Sequence, residues 1–224
     1  YGVAMYSAAT DTKLFFTSSI NCSEIATARG AQFDLQATTL SSKNVNITGG
    51  KAKSTAGIEY RKASSGTFIF QTMYGMTSTW TTAFTDTTGE QITIQNSNYI
   101  QNTMNKFDDG SPGLIFIENT SIQINHMYFY NNVFKDNAKV VSRHKDQGNK
   151  VVKLTDCYIN NFNDNMLDNY VIDGIHKEGF TIFPIPQLDL GACGGDVTPD
   201  IFVITSFFTP SHVFSKSDEF TYSS

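Results

Sequence analysis

The sequence predicts an all-β chain, and within that class a right-handed parallel β-helix that ends in an extended C-terminal tail. Three observations carry this reading. Ser, Thr and Asn are abundant, Phe and Tyr supply most of an aromatic content of 13%, and charged residues fall to 17%, a mixture suited to pleated strands rather than helices. No stretch holds an apolar stripe at i, i+3, i+4 and i+7. Short alternating runs such as Phe68-Ile69-Phe70 and Ile92-Thr93-Ile94 recur instead, between clusters of Gly, Asn, Asp and Ser. A spaced motif also repeats: an apolar residue, Asn at +2, an apolar residue at +5 and Asn at +8. The 224 residues suffice for one large domain with a buried core.

The motif is complete twice, in Ile94-Asn96-Tyr99-Asn102 and Ile117-Asn119-Ile122-Asn125, a step of 23 residues (94 to 117). Looser copies begin at Ile47, at Phe70, at Phe129 (with Asn131, Phe134 and Asn137) and at Leu154. A period in the low twenties is the length of one coil of a pectate-lyase-like solenoid, whose short strands stack on those of the next coil around a continuous core. Each coil turns sharply, and Asn tolerates the left-handed backbone that such corners need. Stacked Asn side chains also form hydrogen-bonded ladders. Asn96, Asn102, Asn119, Asn125, Asn131 and Asn137 are therefore the expected ladder. The alternative architecture is an Asn-rich β-sandwich with turn residues roughly every 8–12 positions.

In this reading residues 1–173 form the solenoid. Residues 174–200 form a capping edge strand and loop, because Phe183-Pro184-Ile185-Pro186 cannot donate fully to a ladder and Gly191-Ala192-Cys193-Gly194-Gly195 breaks regular structure. Residues 201–224 form a Ser/Thr-rich tail in which Phe202, Phe208, Phe214 and Phe220 fall at equal spacing. That spacing is a multiple of two, so an extended strand carries all four rings on one face, ready to interact along a partner. A disordered linker is the competing reading of the tail.

Net charge is −5 and the cations are scattered apart from Lys139, Arg143, His144 and Lys145, which argues against a nucleic-acid partner. No run of apolar residues is long enough for a membrane helix. The chain opens on Tyr1, so a processed form or a fragment is expected, with any targeting segment or membrane anchor outside it. Cys22, Cys157 and Cys193 leave one thiol unpaired and include no Cys-x-x-Cys pair. Asn21, Asn46 and Asn119 open sequons that are glycosylation sites in a secreted protein.

The tetrads Phe134-x-x-Asn137 and Phe162-x-x-Asn165, with the variants Tyr99-x-x-Asn102 and Ile122-x-x-Asn125, resemble the repeat of polymorphic outer-membrane-type (Pmp-like) β-helix surface proteins. The tail segments Phe208-Thr-Pro-Ser211 and Phe214-Ser-Lys-Ser217 resemble the stalk of the trichomonad-like version. The resemblance implies an extracellular or cell-surface location and a role in adhesion.

The solenoid fold also hosts polysaccharide lyases and glycoside hydrolases, which need paired carboxylates or a base over a bound cation. The residues that suit this are Asp164, Asp168 and Asp173, with His176, Lys177, Glu178 and Arg143, but Asn-Asp-Asn and Asp-Asn are equally turn residues. No Gly-x-Ser-x-Gly elbow, P-loop, dinucleotide fingerprint or histidine metal pair is present. Neither catalytic nor metal-binding residues are assigned, and no cofactor is expected. Asp108-Asp109-Gly110-Ser111-Pro112-Gly113 is the one calcium candidate, against ordinary turn chemistry. Trp80, Tyr74 and Phe84 are a candidate sugar-stacking platform if exposed together. The expected function is non-catalytic binding of a protein or glycan on a cell surface. The alternatives are a homopolymeric extracellular filament joined through the Phe-repeat strand, and a polysaccharide-degrading enzyme.

Overall fold

The computed structural model describes residues 5–20, 32–36, 38–53, 55–61, 65–78, 81–86, 91–105, 113–118, 120–135, 138–143, 151–167, 171–172, 175–176, 186–189 and 200–203. The chain is a parallel β-solenoid of about four turns. A partial first coil holds β1 (Met5–Ser7) and β2 (Asp11–Ile20). Four full coils follow: β3 (Phe33–Gln36), β4 (Thr39–Thr48) and β5 (Lys51–Ala52); β6 (Ile58–Arg61), β7 (Ser65–Tyr74) and β8 (Thr77–Ser78); β9 (Thr81–Asp86), β10 (Gln91–Ile100) and β11 (Thr103–Met104); β12 (Gly113–Ile117), β13 (Ser121–Tyr130) and β14 (Val133–Phe134). The last coil holds β15 (Lys139–Arg143), β16 (Val152–Thr155), β17 (Cys157–Ile159), a 3-10 turn at Asp164–Met166, β18 (Val171–Ile172) and β19 (Ile175–His176).

These strands stack into three parallel sheets. One is β1-β3-β6-β9-β12-β15, one is β5-β8-β11-β14, and the largest runs from β2 through β4, β7, β10, β13 and β16 to β18, with β17 pairing β13 and β19. An antiparallel pair, β20 (Pro186–Asp189) and β21 (Asp200–Val203), lies against β2 and β4. Parallel in all three stacked sheets, with no α-helix among the described residues, this is the solenoid that the sequence predicts rather than the sandwich.

Two columns of left-handed backbone shape each coil. Asn44, Phe70, Asn96, His126 and Asp156 all have φ between 50° and 56° and sit midway along the large sheet's strands. A positive φ reverses the alternation of side chains: Leu40 and Ser42 are buried before Asn44, and Val45 and Ile47 after it. Each ten-residue strand is thus two straight halves joined by a bend. Asn, Asp and His enter this conformation more readily than other side chains, whereas Phe70 does so under strain. The second column, Gly49, Gly75, Gln101, Asn131 and Asn161, turns the chain into the short sheet.

The inward columns repeat like with like. Phe68, Ile94, Ile124 and Leu154 stack in one, and Ile47, Met73, Tyr99, Phe129 and Ile159 in another. Each such residue contributes about 1.5–3 kcal/mol relative to exposure. Polar side chains inside the coil satisfy one another: Tyr99 Oη donates to Gln71 Oε1 at 3.2 Å, Gln71 Nε2 to Ser42 Oγ at 3.4 Å, and Gln71 N to Ser97 Oγ at 3.0 Å.

The observed register corrects the expected period. Thr39 lies beside Ser65, Ser65 beside Gln91 and Gln91 beside Ser121, so the coil steps are 26, 26 and 30 residues, not 23. The 23-residue step joined Ile94 on β10 to Ile117 on β12, which belong to different sheets. The true neighbour of Ile94 is Ile124, and Tyr99 and Asn102 stack on Phe129 and Asn132. The corner from the large sheet to the short one is constant, with three positions from Thr48 to Lys51, Tyr74 to Thr77, Ile100 to Thr103 and Tyr130 to Val133. The segments joining β11 to β12 and β15 to β16 vary in length, and that variation hides a single period.

Candidate functional site

Along the second half of the large sheet's strands, the residues between the inward positions point away from the core. They form two outward columns. Asn46, Thr72, Asn98, Tyr128 and Tyr158 make one, and Thr48, Tyr74, Ile100, Tyr130 and Asn160 the other. Ile100 and Tyr128 are the centre of a small apolar cluster, separate from the main core, with Tyr130 and Tyr158 packed against it. Tyr128 stacks on both tyrosines: its ring centroid is 5.1 Å from that of Tyr158 at 15° and 5.4 Å from that of Tyr130 at 13°. Burial, reinforced by the adjacent Tyr158 and Tyr130 phenols, holds the Tyr128 hydroxyl well above the usual phenol range. It is neutral at any physiological pH.

Beside these rings runs a ridge of amides. Gln101, Asn131 and Asn161 occupy the exposed left-handed corner on successive coils. Tyr74, 37% exposed, bonds through its hydroxyl to Gln101 Oε1 at 2.9 Å. Asn161 Nδ2 and the Asn131 amide both reach Asn160 Oδ1 at 3.4 Å. No Asp, Glu, Lys or Arg stands in either column or on the ridge at these coils. Further along the first column Thr72 and Asn98 are buried, and Thr72 Oγ1 and both Asn98 side-chain polar atoms have no hydrogen-bond partner. Aromatic surface flanked by amides on a neutral strip is chemically suited to apolar faces and hydroxyl groups rather than to charge.

The charged groups lie elsewhere. On the sheet that contains β3 and β6, Arg61 binds Asp34 closely and reaches Glu59 Oε1 at 3.4 Å, a cluster of one cation and two carboxylates across two coils. At the bend, His126 Nδ1 meets Asp156 Oδ2 at 2.8 Å. A pocket of about 260 Å³ opens on the first half of the large sheet between Gln91, Ser121, Ile122, Gln123, Val151 and Lys153. Among the described residues no group of three or more His, Cys, Asp or Glu side chains is placed to hold a metal ion.

The four described ladder residues take four different positions instead of forming one stack. Asn96 and Asn131 occupy the two left-handed columns, and Asn125 lies between Gln95 and Thr155 ahead of the bend. Asn102 is fully buried and pairs with Asn132, whose Oδ1 accepts from both Asn102 Nδ2 and Asn102 N at 3.0 Å. Asn132 Nδ2 in turn donates to Tyr99 O at 2.8 Å. Asn119 and Asn137 lie outside the described residues. The spacing of the motif did not find Asn132, because its partner lies 30 positions away.

Of the sequons, Asn21 and Asn119 lie outside the described residues. Asn46, on β4, is 2% exposed. Asp164 begins the 3-10 turn, where Asn163 Oδ1 caps Asn165 N at 3.1 Å. His176 and Arg143 have described backbone only, and Asp168, Asp173, Lys177, Glu178 and Asp108-Asp109 lie outside. Tyr74 and Phe84 stand on strands of different sheets, and Trp80, the third ring of that candidate platform, lies outside the described residues. Phe202 lies on β21, while Phe208, Phe214 and Phe220 are outside. Cys157 is a free thiol in the core; Cys22 and Cys193 are outside.

Compared with known proteins, the chain matches no family model, no curated protein and no solved structure.

Proposed function

We propose that this chain is a non-catalytic, secreted or surface-displayed solenoid that binds a glycan, with the tyrosine and amide strip as its contact surface. One observation carries the reading: Tyr74, Tyr130 and Tyr158 stand beside Gln101, Asn131, Asn160 and Asn161 on an uncharged outward strip. Coil spacing, about 4.8 Å between parallel strands, is close to the length of one unit of an extended glycan. Successive sugars therefore meet the amides of Gln101, Asn131 and Asn161 on successive coils with their hydroxyls, and the tyrosines that stand beside that ridge with their C–H faces. The absence of charge on the strip favours a neutral chain. Adhesion to a cell surface follows if that glycan is displayed there.

The test is a glycan array probed with the whole chain, repeated with Tyr130→Ala and Asn131→Ala. Binding of neutral glycans that both substitutions weaken supports the proposal. A chain that binds no glycan but captures a cell-surface protein moves the reading to protein adhesion, and binding unchanged in both variants removes the strip from it.

A further inference from the structure

Tyr128 and Tyr158 are register partners on neighbouring coils, and the sheet fixes their rings nearly parallel at 5.1 Å. Elsewhere among the described residues, the buried Tyr60 and Tyr99 meet phenylalanine rings, Phe68 and Phe129, edge-on. On this face two phenols are instead stacked, one on each of two neighbouring coils. We propose that Tyr128 and Tyr158 are a site of oxidative cross-linking, where a dityrosine bond joins β13 to β17 in the presence of hydrogen peroxide and a haem peroxidase.

Each phenol gives up one electron and one proton to become a phenoxyl radical. The two radicals couple through a ring carbon ortho to each oxygen, and the hydrogens on those carbons move to the oxygens, restoring both phenols. The chain loses two hydrogens, and one hydrogen peroxide accepts two electrons and two protons to become two waters. Tyr158 and Tyr130, both partly exposed, are the rings an external oxidant reaches. Tyr128, 4% exposed and stacked on both, is reached through them and is screened from radicals on other molecules. Cys157 adjoins Tyr158 in sequence but faces the core, where burial pushes its thiol up to about 12. The product is a covalent staple between coils that closes the loop from position 128 to 158, and it raises stability as other cross-links do.

The experiment treats the dilute full chain with peroxide and peroxidase, isolates monomer, and maps it by mass spectrometry and dityrosine fluorescence. The expected monomer is lighter by two hydrogens, yields a linked peptide containing Tyr128 and Tyr158, and unfolds at a higher temperature. Tyr128→Phe and Tyr158→Phe, which keep the stacked ring, lose the link, whereas Tyr74→Phe keeps it. Dityrosine found only between chains, a monomer link that survives Tyr128→Phe, or a link confined to Tyr128 and Tyr130 overturns the proposal. Glycan binding by the untreated chain is read separately, so this outcome and that of the binding proposal do not depend on each other.

Discussion

Replacing Asn102 with Leu removes a fully buried amide while keeping its branching at Cγ and its number of heavy atoms. In the native coil Asn102 Oδ1 accepts from Met76 N at 3.0 Å, and Asn102 Nδ2 donates to Met73 O and to Asn132 Oδ1, both at 3.0 Å. The leucine leaves the Met76 N–H and the Met73 carbonyl without this partner in a site closed to water. Each buried group so orphaned costs about 1–3 kcal/mol, while Asn132 Oδ1 still accepts from Asn102 N. The expected loss is about 3 kcal/mol, a large part of the roughly 5–15 kcal/mol that holds a domain folded. Urea denaturation followed by far-UV circular dichroism measures it, and amide exchange at Met76 localises it to the corner. A loss under about 1 kcal/mol with unchanged Met76 exchange would refute the view that the Asn102–Asn132 pair holds this corner. Asn132→Ala is expected to cost less, because Asn132 is only partly buried.

Three other perturbations follow from the packing. A methyl group on Gly66 would lie 2.7 Å from Tyr60 Cε1 and 3.0 Å from Phe68 Cε2; with Tyr60 tethered by its hydroxyl to Ser65 O, Gly66→Ala should cost about 1–3 kcal/mol, and an unchanged thermal midpoint would contradict it. Arg61→Ala strips the counter-charge from Asp34, whose side chain is 6% exposed against 26% for Arg61. The partial exposure of Arg61 screens the pair, so about 2 kcal/mol is expected; denaturation of Arg61→Ala alone and with Asp34→Asn should show the second change recovering part of the loss. Burial raises the Cys157 thiol from 9.0 to about 12, so folding disfavours the thiolate. Stability from this group is fully present below pH 9 and lost as pH rises toward 12. Cys157→Ala should flatten that alkaline fall, and equal slopes in urea midpoints above pH 9 would show that the thiol does not contribute.

The class of fold was legible because alternation and turn chemistry are local properties. Phe68-Ile69-Phe70 and Ile92-Thr93-Ile94 announce strands wherever they stand, and Asn96 and Asn131 do sit where the backbone is left-handed. The coil length was not legible, since it depends on segments whose residues carry no register of their own. Motif matching therefore crossed from one sheet to another, and Phe70 and His126 at the bend gave no hint that they share the conformation of Asn96. The tyrosine strip had one local sign, Tyr128 and Tyr130 two residues apart on one strand face, but the third ring, Tyr158, and the amides of Gln101 and Asn161 join them only through the 30-residue step.

The constant three-residue corner makes the coil a unit of length. Thr39, Ser65 and Gln91 succeed one another at equal steps of 26, so excising residues 65–90 rejoins the chain in phase. Leu40 then meets Ile92, Ile47 meets Tyr99, and Ile58 on one flank meets Ile115, all of them core residues. Removing one residue from within a strand, rather than from a joining segment, would turn the side chains that follow it in that strand to the wrong face. Between β4 and β10 the molecule can therefore lose a whole coil with core residue still meeting core residue, while the joining segments absorb smaller changes in length, as the 30-residue step from Gln91 to Ser121 shows.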